Sequence, residues 1–324
     1  MAVAAPPRAP QRAPRRTARR ESMASWRWSD RIAYMSCWAA GLALCLIAAG
    51  IVGFMAVKGV QYLRPELLWS TPSPELDQSK SGGFLDPILG TLLLAVIGIA
   101  IATPVAVATA FWVVEYGRPR GLARAVESGI EVVAGTPDIV LAIFGLALFQ
   151  HGLFSWMSFT ASGGAVFGRS FLTAGTMMSL IALPMVFGAT REGLQAVPRH
   201  VREASYGLGK TKAATIRRVL LPAVRRNIST GAALGMGRIA GDTAIVVILL
   251  GATLQIEPEG GIPGFDVLKG TGSTLTSYVY NNSPAGEGAA PEKAYAAAFV
   301  LLLLVVALNF AVDLAARDRM EAPR

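Results

Sequence analysis

Two charged residues, Arg238 and Asp242, interrupt an apolar stretch between Asn227 and Ile256. An ionisable side chain at the centre of a bilayer costs about 3 kcal/mol on insertion scales and usually faces a cavity or a bundle interior. The local sequence is Gly235-Met236-Gly237-Arg238-Ile239-Ala240-Gly241-Asp242-Thr243-Ala244. At helical spacing the two charges share one face. Arg238 offers planar N–H donors to an oxyanion. Asp242 is expected to orient Arg238 and to accept a proton from a protonated oxyanion. Arg238, Gly241, Asp242 and Thr243 are therefore the candidate substrate pathway. The competing reading is a pair that only neutralises itself. Gly235, Gly237 and Gly241 permit close helix approach there, around a site or for packing alone.

The segment Val197–Asn227 is the second informative stretch. Glu203-Ala204-Ser205 is followed after three residues by Gly209, and after nine more by Val219-Leu220-Leu221-Pro222. This order predicts two short helices joined by a tight turn. Ala204 and Ser205 are small enough for a helix to sit against another protein. Gly209 permits positive φ, and Pro222 is expected to stop the second helix and open the next span. The alternative is a solvated basic loop that only sets topology. Gly209-Lys210-Thr211 looks like the end of a P-loop, but the earlier glycine such a loop needs falls on Ala204. No nucleotide site is expected in this chain, so it is not expected to be an enzyme, and no catalytic residue is assigned.

These segments need a scaffold, and composition defines it. Of the 324 residues, 53% are hydrophobic and 16% charged. Soluble domains carry about 25% charged residues. Together with a positive mean hydropathy, this excludes an ordinary soluble globule and points to an all-α polytopic membrane protein. A spanning helix takes about 20 apolar residues. Runs at 32–57, 87–114, 139–168, 170–190, 227–256 and 294–312 give six expected transmembrane helices. The half of the third run beyond His151 reads as an extramembrane connection. Cys37 and Cys45 both lie in the first run, and His151 and His200 are far apart. Neither a disulfide framework nor a metal site is expected.

The net charge is +9. With the N-terminus in the cytoplasm, 23 Lys and Arg fall in cytoplasmic segments and six in outer ones. By the positive-inside rule both termini are expected in the cytoplasm. Residues 1–30 are a basic tail rich in Arg, Ala and Pro, expected to be disordered and to serve topology rather than nucleic acid. The expected layout is a first helix at 31–58, an outer loop at 59–82, a five-helix core at 83–315 with a cytoplasmic loop at about 197–223, and a C-terminal tail at 316–324.

The loop from Glu203 to Pro222 resembles the E-A-A-x3-G-x9-I-x-L-P element of ABC-importer permeases, with Ser205 for the second Ala and Val219 for Ile. In that family the element is a coupling helix that docks on a separate ATPase. The resemblance marks Glu203, Ala204, Ser205, Gly209, Leu221 and Pro222 as the ATPase-coupling residues. The stretch Gly237-Arg238-Ile239-Ala240-Gly241-Asp242-Thr243-Ala244 resembles the G-R-A-x-G-E-T-A segment of phosphate-importer permeases, with Asp242 one methylene shorter than the usual Glu. Gly82-Gly83, Gly90-Thr91, Glu115-Tyr116-Gly117, Leu183-Pro184 and Thr190-Arg191-Glu192-Gly193-Leu194 follow that family's order. Gly135-Thr136-Pro137-Asp138-Ile139-Val140 resembles its G-x-P-S-I-V, with Asp138 in place of Ser. Asp138 is read as a helix N-terminal cap in preference to a substrate contact.

The chain is thus similar to phosphate ABC-transporter permeases, PstA type, with the type I importer (MetI-like) core. The resemblance implies alternating access and a bacterial cytoplasmic membrane. It implies a second permease of PstC type, ATPase subunits of PstB type that bind ATP and Mg, and an extracytoplasmic phosphate-binding protein of PstS type. Two rivals stay open: a permease for another oxyanion such as sulfate or molybdate, and a transporter outside the ABC class. The second needs a relay of several intramembrane acids or histidines, and only one run carries charge.

Overall fold

The computed structural model describes residues 27–72, 82–159, 166–251, 265–284, 286 and 290–321. The basic tail before Arg27 and part of the expected outer loop at 59–82 lie outside these residues. The elements formed by the described residues are helical, as the apolar runs predict. The chain divides into two units, Met1–Phe54 and Met55–Arg324. The first holds most of α1 (Trp28–Tyr62), whose side chains from Ile32 to Phe54 are uncharged, nearly all apolar and exposed on every side, as in a lipid-solvated span.

The second unit contains α2 (Leu85–Phe111), α3 (Arg120–Gly135), α4 (Asp138–Phe149), α5 (Phe171–Ala196), α6 (Arg199–Gly207), α7 (Lys212–Thr215), α8 (Leu221–Ala223), α9 (Arg225–Gly241), α10 (Phe265–Lys269), α11 (Leu275–Asn282) and α12 (Pro291–Glu321). Wider π-helical turns extend α2 through Tyr116, join α7 to α8, and cover Val246–Leu250.

α5 is the centre, packed between α2 and α9. On α2 the buried positions Leu94, Gly98, Ala102, Ala106 and Ala110 recur every four residues. A stripe of small side chains lets helices approach closely where lipid offers no hydrophobic drive for association. The approach is tight at Gly98, where an added Cβ would meet Ile239 of α9 at 2.7 Å. Met177, Met178, Ile181, Ala182 and Val186 face the same interior from α5. Gly235 packs there too, its added Cβ lying 3.1 Å from Ala182, whereas Gly241 meets nothing within 4 Å. The expected packing role thus applies to Gly235 and not to Gly241.

The expected count of six spans is not met by six continuous helices. Among the described residues, Trp28–Tyr62, Leu85–Tyr116, Phe171–Ala196 and Pro291–Val312 are long and apolar enough to cross a membrane. The third run yields only the twelve-residue α4, which turns 105° from α3. Thr136 precedes Pro137 and is extended at φ −77°, ψ 131°, the conformation a following proline imposes. The α3 helix went unread in the sequence because its face is mixed, with Arg120, Arg124, Glu127 and Glu131 among its apolar residues. The fifth run is broken as well: α9 stops at Gly241, and Asp242 is extended at φ −75°, ψ 137°. The C-terminal segment expected as a tail from residue 316 continues α12 to Glu321.

Candidate functional site

The loop between α5 and α9 folds as two short helical arms with a turn between them. Pro198 precedes α6, which ends at Gly207. Gly209 has φ +73°, and the Gly209 N–H donates to the Tyr206 carbonyl at 2.9 Å. A left-handed residue other than glycine costs about 1–2 kcal/mol, so glycine suits this turn. Thr211 then caps α7 by accepting from the Ala214 N–H.

Ser205, the departure from the alanine of the motif, has a use here. Its Oγ lies 2.9 Å from Thr215 Oγ1, and both residues are buried. One hydroxyl pair therefore fastens α6 to α7. Glu203 and Ala204 point outward, with Tyr206 42% and Leu208 80% exposed beside them. Leu221 packs against the buried cluster that includes Val186, Phe187 and Leu220. Pro222 neither stops the arm nor opens the next span. It sits in α8, which runs on from the π-helical turn, and the break falls two residues on, at Val224 with φ −98°, ψ 6°.

Three residues that the sequence reading left without a role anchor this loop. Arg202 Nε donates to Glu115 Oε1 at 2.9 Å, with only 17% and 6% of the two side chains exposed. Its Nη1 and Nη2 donate to the carbonyls of Val197 and Leu194 at 2.7 and 2.8 Å. Lys212 donates to the Glu115 carbonyl and stands 4.3 Å above the Tyr116 ring, a cation–π arrangement. The end of α2 is thereby bound to both arms. An acid closing one span and an Arg beside Glu203 were the signals available. Arg191 of α5 likewise pairs with Glu127 of α3 at 2.8 Å.

Arg238 occupies the last turn of α9, but its ion partner is not Asp242. Nη2 donates to Asp138 Oδ1 at 3.0 Å and to Oδ2 at 3.3 Å. The expectation of an oriented Arg238–Asp242 pair fails because the helix ends between them, and spacing of four puts side chains together only while the helix continues. Asp242 does another job. Its Oδ2 accepts the Ile245 N–H at 2.8 Å, and its carbonyl accepts from Thr276 Oγ1 at 3.0 Å. It caps the helical stretch that follows and is only 8% exposed.

Asp138 makes no side-chain cap; Pro137 holds the cap position of α4, and Asp138 is the first helical residue. Its carboxylate suits the N-terminus of α4 and the Arg238 guanidinium suits the C-terminus of α9. The Asp242 carboxyl lies beside that of Asp138. Thr243 is half-buried and Gly241 exposed next to this cluster. The cluster opens beside an apolar face of α4, where Ile139, Val140, Ile143 and Phe144 are all more than half exposed.

A polytopic helical chain with an anchored two-armed loop and a charged break in one span is the permease subunit of an ABC importer. Residues 102–319 match the family described as binding-protein-dependent transport system inner membrane component, and the chain belongs to that family. Over 249 residues it is 32% identical to the phosphate transport system permease protein PstA 1 of Mycobacterium tuberculosis, covering 77% of this chain and 74% of that one. It is 29% identical over 248 residues to the phosphate transport system permease protein PstC of Xylella fastidiosa, covering 72% of each. A solved bacterial alginate ABC transporter contains a chain of the same fold, with TM-score 0.61 and 14% identity over 91% of this chain and 97% of that one. As a family member the chain is a multi-pass membrane subunit that works with an ATPase and a binding protein.

Proposed function

We propose that this chain is a transmembrane permease subunit of an ATP-driven importer for inorganic phosphate. It forms part of the translocation path and couples to a separate ATPase of PstB type that carries ATP and Mg. A second permease of PstC type completes the path, and a phosphate-binding protein of PstS type delivers the anion from outside. The chain resides in the bacterial cytoplasmic membrane with both termini in the cytoplasm.

The observation that carries this reading is the cluster at the break of α9, in a chain whose relatives are named for phosphate transport. Arg238 presents a planar, permanently charged donor set, and among the described residues only its Nη2 has a protein partner. Nε and Nη1 remain available to an oxyanion. Phosphate brings acceptor oxygens to Arg238 and a P–OH donor to the carboxylate of Asp242, whereas sulfate at neutral pH has no proton to donate. A buried carboxylate left unmatched is costly, so the cluster favours phosphate.

On the cytoplasmic side, Glu203, Ala204, Tyr206 and Leu208 form the face offered to the ATPase. Gly209 sets the angle of that face, Ser205 ties the two arms together and Leu221 fixes them to the bundle. Because Arg202 and Lys212 hold the end of α2, a displacement of the loop carries α2 with it as a rigid-body movement. Affinity purification of the tagged chain from its host membrane, in mild detergent, tests the reading. Recovery of an ATPase subunit and a second permease supports it, and recovery of the chain alone under conditions that preserve ATPase-bound importers contradicts it.

A further inference from the structure

We propose that Asp138 is a tethered competitor for the transported oxyanion: it occupies Arg238 when the path is empty and drives the anion off Arg238 on the way to release. The inference rests on the phosphate reading above and assigns a role to a residue outside it.

Three observations carry it. Asp138 comes from a different element than Arg238, at the first position of α4 just after the 105° bend. The pair is made through a single nitrogen, Nη2, and is 41% and 30% exposed. It is therefore reachable by a soluble anion. Asp242, by contrast, is 8% exposed and spends one oxygen on the Ile245 N–H and its carbonyl on Thr276. Of the two acids, Asp138 is the one free to exchange.

The charge balance weakens the hold on the anion. Arg238 with Asp242 alone sums to zero when both are ionised. Asp138 brings the three-residue cluster to −1, which repels an anion that lingers. The competition is intramolecular, so the apparent affinity of Arg238 for the anion falls by the fraction of time Asp138 holds it. An ion pair of this exposure is worth up to about 1 kcal/mol, or about fivefold. A transport path gains from this. A binding protein delivers the anion, and the permease must then let it go rather than keep it.

The test uses the complete transporter in proteoliposomes, with ATP supplied to the ATPase face, phosphate-loaded binding protein on the opposite face, and inorganic phosphate added in increasing amounts on the ATPase side as an inhibitor of uptake. Asp138→Asn is expected to lower the half-inhibiting phosphate concentration about fivefold. Asp138→Ser, which shortens the side chain at an exposed helix start, is expected to do the same, and guards against one variant failing to assemble. Asp138→Glu is expected to stay near the wild type. An unchanged or raised half-inhibiting concentration in Asp138→Asn and Asp138→Ser would overturn the proposal, a raised one meaning that Asp138 only holds Arg238 in place for the anion. Absence of ATP-driven phosphate uptake by the wild-type transporter would instead overturn the reading beneath it.

Discussion

Arg202 and Glu115 join the two-armed loop after α5 to the end of α2 through a hydrogen-bonded ion pair at 2.9 Å, 87 residues apart in sequence. The same guanidinium also satisfies two carbonyls at the end of α5 and just beyond it. One side chain thus gathers the termini of two core helices at the base of α6. Removing one member of this part-buried pair strands the other, at a cost of about 1–3 kcal/mol. Arg202→Leu is expected to lower the thermal stability of the assembled transporter markedly. Glu115→Gln retains an acceptor and should cost less. Double-mutant analysis by thermal unfolding checks this, and additive effects of the two changes would contradict a direct pair.

Gly209 tests the turn. With φ +73° and open space around its Cβ position, Gly209→Ala should cost only the conformational penalty of about 1–2 kcal/mol. Gly209→Pro cannot adopt this φ at all. It is expected to abolish ATP-coupled uptake while the membrane subunits still assemble. Glu203→Lys changes an exposed residue and should weaken ATPase association without altering membrane-subunit yield. Normal uptake by Gly209→Pro and Glu203→Lys would remove the loop from the coupling path.

Asp242 separates a capping role from a substrate role. Asparagine caps a helix about as well as aspartate, so Asp242→Asn should leave the melting temperature nearly unchanged. Asp242→Leu loses the acceptor for the Ile245 N–H and should destabilise by about 1 kcal/mol. Thermal unfolding in detergent distinguishes the two. If Asp242→Asn melts as early as Asp242→Leu, the carboxylate charge and not the cap holds this break together.

Topology follows from charge. A reporter active only outside the cytoplasm should be silent when fused after Arg324 and active when fused near Lys269, at the end of α10. The opposite pattern would place the loop around Glu203 on the wrong face of the membrane.

The sequence made the two-armed loop legible because a glycine at 209 encodes a turn with its own local chemistry, and φ +73° at Gly209 is the outcome it predicts, whereas the break expected at Pro222 falls at Val224. The helical class was legible from hydropathy alone. Two features were not. The i, i+4 argument for Arg238 and Asp242 assumed a helix that runs on, while Gly241 leads into an extended Asp242. An acid directly after Pro137 at the head of an apolar run was the available sign of another partner, but spacing in sequence says nothing about residues 100 positions apart. The Glu115–Arg202 and Lys212–Tyr116 contacts were hidden for the same reason. They are tertiary pairs whose members look, one at a time, like ordinary interfacial charges.

The most direct test of the account is phosphate uptake by the reconstituted transporter with Arg238 intact or changed. The complete complex is placed in proteoliposomes, with ATP on the ATPase face and radiolabelled phosphate bound to the binding protein on the other. The account predicts ATP-dependent phosphate accumulation in the wild type, near-complete loss in Arg238→Gln with the complex still assembled, and partial recovery in Arg238→Lys, which keeps the charge but not the planar donors. Wild-type accumulation by Arg238→Gln would contradict it and reduce the Arg238–Asp138 pair to a packing contact between α4 and α9.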